Sequence, residues 1–180
     1  MRPDVDDAYL VSRAQDGYLD AFEALVQRYS PVAYRVALRL LRDHQDAQDV
    51  AQESLVAVWQ HLSGFRMDSS FSTWLYRIVS RTALNRLARA RRADTGADLD
   101  QVVDQAAGPA DRVASQQTVD AVTAAVATLP PAQRVAVVLH HFEGLPYAQV
   151  AAITGATIPA VRSHLFRARR TLAATLEPWR

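Results

Sequence analysis

Between Asp20 and Leu41 apolar side chains recur at three- and four-residue spacing, through Phe22, Leu25, Val26, Tyr29, Val32, Ala33, Val36 and Leu40. This is the helix period, and no stretch of the chain sustains the two-residue alternation of a half-buried strand bounded by turn residues. An all-α fold is therefore expected. Pro31 falls inside the pattern and marks a candidate kink, because an interior proline removes one donor and crowds the turn before it. Further helices are expected from about Asp46 to Leu62 and from Ser72 to Arg92, the latter with Ser70 or Ser72 as N-cap.

The periodicity then stops. Residues 93–117, ADTGADLDQVVDQAAGPADRVASQQ, combine Gly, Pro and scattered Asp with few large apolar groups, and such a segment buries too little to hold a packed core. It is read as a flexible acidic linker between two small helical domains, 1–92 and 118–180. The second domain is expected to begin with a helix from Val119 to Leu129. Pro130-Pro131 opens another through Phe142, with Pro131 suited to a first turn, and residues 143–146 form a turn. Two short helices follow, Tyr147 to Thr154 and Thr157 to about Leu176, joined by Gly155-Ala156.

The net charge of +1 hides a division along the chain. Residues 1–65 carry −4, 66–92 carry +6, 93–120 carry −5 and 121–180 carry +4. Two basic blocks separated by an acidic one suggest contact with an anionic polymer at two places. There is no Cys, so neither a disulfide nor a thiolate metal site is available. No apolar run approaches the roughly 18 residues of a membrane span, and the first residues lack the apolar core of a signal peptide. The expected location is the cytoplasm, without membrane insertion.

In the C-terminal pair of helices, Val150, Ala151, Ile153, Val161, Leu165, Ala168 and Leu172 are spaced to form a shared core. Arg162, Ser163, Phe166, Arg167 and Arg170 then face outward. This is the plan of a helix-turn-helix, whose second helix enters the major groove, where Arg pairs with guanine and Ser bonds a base edge or a phosphate. In residues 65–92, Phe71, Trp74, Leu75, Ile78, Val79, Leu84 and Leu87 supply a core stripe, while Arg77, Arg81, Arg86, Arg89, Arg91 and Arg92 populate the rest of the surface. Aromatic rings interleaved with Arg suit melted nucleic acid, since exposed bases stack on rings and guanidinium groups hold phosphates. For Phe71 and Trp74 taken singly, core packing is the simpler role. Asp46, Asp49 and Glu53 share one helix face opposite Val50, Leu55 and Val58, as a row without cation partners at helical spacing. Such a row is either a solvated face or the contact for a partner with a basic surface.

Nothing in the chain has the pattern of a catalytic site: there is no His-Glu-x-x-His, Gly-rich phosphate loop or nucleophile elbow. His140 and His141 are adjacent and point to different faces, so no metal, cofactor or enzymatic activity is expected.

DAQDVAQESLVAVW (46–59), FSTWLYRIVSRTALNRLARARR (71–92) and LPPAQRVAVVLHHFEGLPYAQVAAITGATIPAVRSHLFRARRTL (129–172) resemble, in order and spacing, the extracytoplasmic-function sigma factors of the sigma-70 family. The resemblance implies a region-two domain that binds the clamp of core RNA polymerase and opens the minus-ten promoter element, and a region-four domain that reads the minus-thirty-five element. It implies that Asp46, Asp49, Gln52 and Glu53 contact polymerase. It places Arg66, Ser69, Ser70, Trp74, Arg77, Arg81, Asn85 and Arg89 against minus-ten DNA, and Arg162, Ser163, His164, Phe166, Arg167 and Arg170 against minus-thirty-five DNA. An anti-sigma factor is a further implied partner. The chain departs from the family pattern at Arg81, where Asn is usual, and at Pro159-Ala160, where Gly-Thr is usual, so promoter preference does not carry over. The alternative is a helix-turn-helix transcriptional regulator with an N-terminal sensor or dimerisation domain.

Overall fold

The computed structural model describes residues 6–94 and 113–176. The described residues form eight α-helices: α1 (Asp7–Gln15), α2 (Leu19–Leu41), α3 (His44–His61), α4 (Phe71–Asp94), α5 (Val113–Thr128), α6 (Pro131–Val137), α7 (Tyr147–Thr154) and α8 (Ile158–Thr175). Leu62–Gly64 form a single tight turn after α3, and α6 runs into a wider π-turn over Val138–Phe142. Among the described residues there is no strand.

Local chemistry explains where these helices begin. Asp43 accepts a hydrogen bond from the Asp46 N–H at 2.7 Å, Ser70 from the Thr73 N–H at 3.2 Å, and Thr157 from the Ala160 N–H at 3.3 Å. Each satisfies one of the donors that a helix leaves open at its start. Ser70 is thus the cap of α4, and the Asp43 cap starts α3 at His44, ahead of Asp46. Pro131 and Pro159 sit in the first turns of α6 and α8, where a missing N–H costs nothing. Gly155, at φ +71°, closes α7 in a left-handed conformation that a side chain would strain. α2 runs unbroken across Pro31. α5 begins at Val113, earlier than the expected Val119, and α4 continues to Asp94. Residues 95–112 of the expected acidic linker, with Asp98, Asp100 and Asp104, lie outside the described residues.

α1 to α4 pack around Val11, Leu25, Val36, Leu40, Val50, Val58, Leu75 and Val79, all at most 1% exposed. α5 to α8 pack around Leu129, Val135, Leu139, Val150, Val161 and Leu165, equally buried. Each such side chain contributes roughly 1.5–3 kcal/mol of burial. The expected core of α7 and α8 is buried except at Leu172, whereas Phe22, Val26, Tyr29 and Val32 of the α2 stripe and Trp74, Ile78, Leu84 and Leu87 of the α4 stripe are only partly covered.

The two helical units also pack on each other, α7 lying against α4. Buried Arg134 of α6 crosses between them, donating to the Leu40 carbonyl at 2.7 Å and, within its own unit, to the carbonyls of Ala127 and Leu129. Its positive charge meets the C-terminal ends of α2 and α5, where unpaired carbonyls concentrate partial negative charge.

Candidate nucleic-acid interface

Four of the eight residues expected at melted DNA converge. Arg66, Ser69, Trp74 and Arg77 line one cavity of about 390 Å³ with His61, Gly64, Phe65 and Asp68. The loop between α3 and α4 forms its lip. Phe65 stacks on Trp74 with ring centroids 4.5 Å apart and an interplanar angle of 10°, so the indole is both core and cavity wall. Arg66 is exposed and lies 3.1 Å from Asp68. The cavity offers an aromatic platform, one hydroxyl and two guanidinium groups, the kinds of group that hold an unstacked base and its phosphate. Phe65 belongs to the same aromatic and arginine-rich stretch, but its role depends on a loop path that periodicity does not reveal.

The other four lie elsewhere. Ser70 caps α4, Arg89 is exposed further along that helix, and Arg81 and Asn85 line a second cavity of about 320 Å³ between α4 and the second unit. Across that cavity sit Ala132, Val135, Ile153 and His164, and Arg77 donates to the Ala152 carbonyl at 2.9 Å. In this closed arrangement part of the α4 face looks at protein.

On α8, Arg162, Ser163, Phe166, Arg167 and Arg170 are exposed, opposite buried Val161, Leu165 and Ala168. Phe166 keeps 60% of its surface open. Arg162 lies 5.8 Å above the Tyr147 ring, and the Arg167 Nε donates back to the Ser163 carbonyl at 3.3 Å. His164 differs from its neighbours, half-buried in the cleft between the units.

The acidic row corrects one expectation. Asp46 and Asp49 are not unpaired: Arg86 of α4 reaches them at 2.5 and 3.0 Å and approaches Glu53 at 3.8 Å. The cause is tertiary, since α4 packs beside α3 and lays its Arg86 over the row. These hydrogen bonds, led by the one to Asp46, hold the Arg86 guanidinium above its ordinary pKa. Gln52, the fourth residue of the set, is exposed and opens onto an apolar groove of about 710 Å³ between α2 and α3, lined by Phe22, Pro31, Leu55, Val56 and Trp59.

Two family models match in series: sigma-70 region 2 over residues 25–93 and sigma-70 region 4 over residues 120–172. The chain belongs to the sigma-70 family, in its extracytoplasmic-function group. This sigma factor is 34% identical over 182 residues to the RNA polymerase sigma-H factor of Pseudomonas aeruginosa, covering 96% of this chain and 94% of that one. It is 32% identical over 188 residues to the ECF RNA polymerase sigma-E factor of Salmonella typhimurium, covering 99% and 98%. Its fold is similar to that of the sigma factor RpoE of Bartonella quintana, solved with the anti-sigma factor NepR, at a TM-score of 0.68 and 26% identity over 87% of this chain and 96% of that one. Two sigma regions in series disfavour the reading of a regulator with one DNA reader. No helix among the described residues of this sigma factor is long and apolar enough to cross a membrane.

Proposed function

We propose that this sigma factor, which directs promoter-specific transcription, divides that work among three surfaces. The acidic row Asp46, Asp49, Gln52 and Glu53, with the apolar groove beside it, docks the clamp of core RNA polymerase. The cavity under the loop between α3 and α4 takes one base of the minus-ten element once it is flipped from the duplex, with Arg66 and Arg77 on its phosphates and Phe65 and Trp74 beside its ring. The exposed face of α8 enters the major groove of the minus-thirty-five element, with Arg167 at a base edge and Arg170 at a phosphate. Residues 1–92 then serve core binding and melting, 118–180 upstream reading, and the segment between them links the two. Transcription initiation of this kind belongs to the cytoplasm, and an anti-sigma factor is a further partner in this reading.

The observation that carries this reading is the convergence of Arg66, Ser69, Trp74 and Arg77 on one cavity. A purely structural surface has no need of a ring-walled hollow edged with two arginines.

The closed packing bears on the mechanism. Elements centred about 25 base pairs apart are separated by roughly 85 Å at 3.4 Å per pair, whereas Arg81 and Asn85 of α4 and His164 of α8 line the same cavity. Both elements are read only after the units separate. Transcription with core polymerase from a library randomised at both elements tests the assignment. Arg77→Ala is expected to alter downstream preference alone and Arg167→Ala upstream preference alone, and the reverse pattern would overturn the two-reader division.

A further inference from the structure

α1 lies outside both matched regions, the first of which begins at residue 25, yet one of its side chains grips the loop that edges the base cavity. Gln15, its last residue, donates one amide N–H to the Leu62 carbonyl and the other to the Phe65 carbonyl, both at 2.8 Å. A carboxamide has two N–H donors, and both are used. The bond to Phe65 fixes the peptide plane from which the chain leaves for Arg66, and the Phe65 ring is the one stacked on Trp74.

The loop needs such an anchor. Two residues beyond Phe65, Met67 stands at φ +57°, a left-handed conformation that non-glycine residues avoid. Backbone of this kind persists only where its surroundings over-determine it. Downstream of Met67 the anchor is the Ser70 cap on α4, and upstream it is Gln15. Gln15 is itself held, because α1 buries Leu10, Val11 and Ala14, and its Asp7 accepts hydrogen bonds from Arg28 and Tyr29 of α2.

We infer that Gln15 is a positioning residue for downstream promoter recognition, setting the shape of the base cavity through the Phe65 carbonyl without touching DNA. The inference rests on the assignment of that cavity made above. Its consequence is that base preference in the melted element depends on a side chain in a helix that the sigma region models do not include.

The test uses the full chain with core polymerase. Gln15→Leu keeps the bulk and removes both donors, Gln15→Glu sets a carboxylate against two carbonyls, and Gln15→Lys restores donors. With the leucine and glutamate variants, discrimination at one position of the downstream element is expected to fall about tenfold, the scale of two lost hydrogen bonds. Upstream preference and core affinity stay as in wild type, amide exchange at residues 66–69 accelerates, and the lysine variant recovers part of the discrimination. An unchanged downstream profile would overturn the inference. So would a loss spread equally over both elements with a lowered Tm, since that is the mark of a merely structural role. A wild-type protein with no downstream preference would instead overturn the cavity assignment, and the inference with it.

Discussion

Arg35 of α2 donates two hydrogen bonds, 3.1 and 2.7 Å long, to the carboxylate of Glu143, 108 residues further along the chain. Arg39 adds a third at 2.5 Å and the Tyr76 hydroxyl a fourth at 3.0 Å, and the Glu143 side chain is only 3% exposed. One turn residue of the second unit is thus enclosed by two helices of the first, and the units close around it. Burial of Glu143 would by itself raise its pKa. The hydrogen bonds from Arg35 and Tyr76 and the charges of Arg35 and Arg39 outweigh it and hold the carboxyl below its ordinary value.

Removing that charge should loosen the closure. Glu143→Gln is expected to cost on the order of 2 kcal/mol of the packing between units, the scale of a hydrogen bond to a charged group. Small-angle scattering should show a larger radius of gyration, and the Ala152 region of α7 should exchange its amides faster. An unchanged radius would assign the closure to α4–α7 packing and Arg134 alone.

Closure should also depend on pH, with a definite sign. A carboxyl with a depressed pKa contributes its full stabilisation above the unfolded value of 4.5 and loses it as pH falls through the lower folded value. Tyr76, pushed up to about 12 chiefly by burial and next by the Glu143 charge, stays a donor throughout that window. The difference between wild type and Glu143→Gln is therefore expected to be constant from pH 7 to about 5 and to shrink as pH falls below 4.5. Scattering of both proteins across that range checks it, and a difference that grew on acidification would contradict the assignment.

Charge reversal on the acidic row should separate partner binding from folding. Glu53 is 57% exposed and only 3.8 Å from Arg86, so Glu53→Arg is expected to weaken core association with little change in Tm. Asp46→Arg sets a second cation against Arg86 and should lower Tm as well. The ion pair is about a third exposed at both ends, so Arg86→Ala alone is expected to cost no more than about 1 kcal/mol. Core affinity of the three variants, measured beside their thermal melts, decides the point. Equal core affinity of Glu53→Arg and wild type would move the contact elsewhere.

The recognition helix should show two classes of arginine. Arg167→Ala is expected to cost about 1–3 kcal/mol at one upstream base pair and to relax preference there. Arg170→Ala should weaken all promoters alike and reduce the salt slope of binding by about one. Both residues are exposed and lie away from Val161 and Leu165, so the fold should stand. Competition among promoter variants at several salt concentrations separates the two.

The sequence by itself determined what repeats along one helix. The spacing of Leu25, Val36 and Leu40, or of Val161, Leu165 and Ala168, states which face is buried because helix geometry is local and the apolar period is written into it. The serine cap of α4, as Ser70 or Ser72, and the exposed arginines of α8 are legible for the same reason. The tertiary structure alone decided what depends on residues far apart in the chain. Arg86 lies 40 residues from the Asp46 it pairs with, Glu143 lies 108 from Arg35, and Gln15 lies 50 from Phe65. No period links such positions, and each pairing exists only because packing of the apolar faces brings the helices together. The same cause explains why Arg81, Asn85 and His164 share a cleft in the closed form: the charge pattern marks a residue as free to bind an anion, and packing determines what stands in front of it.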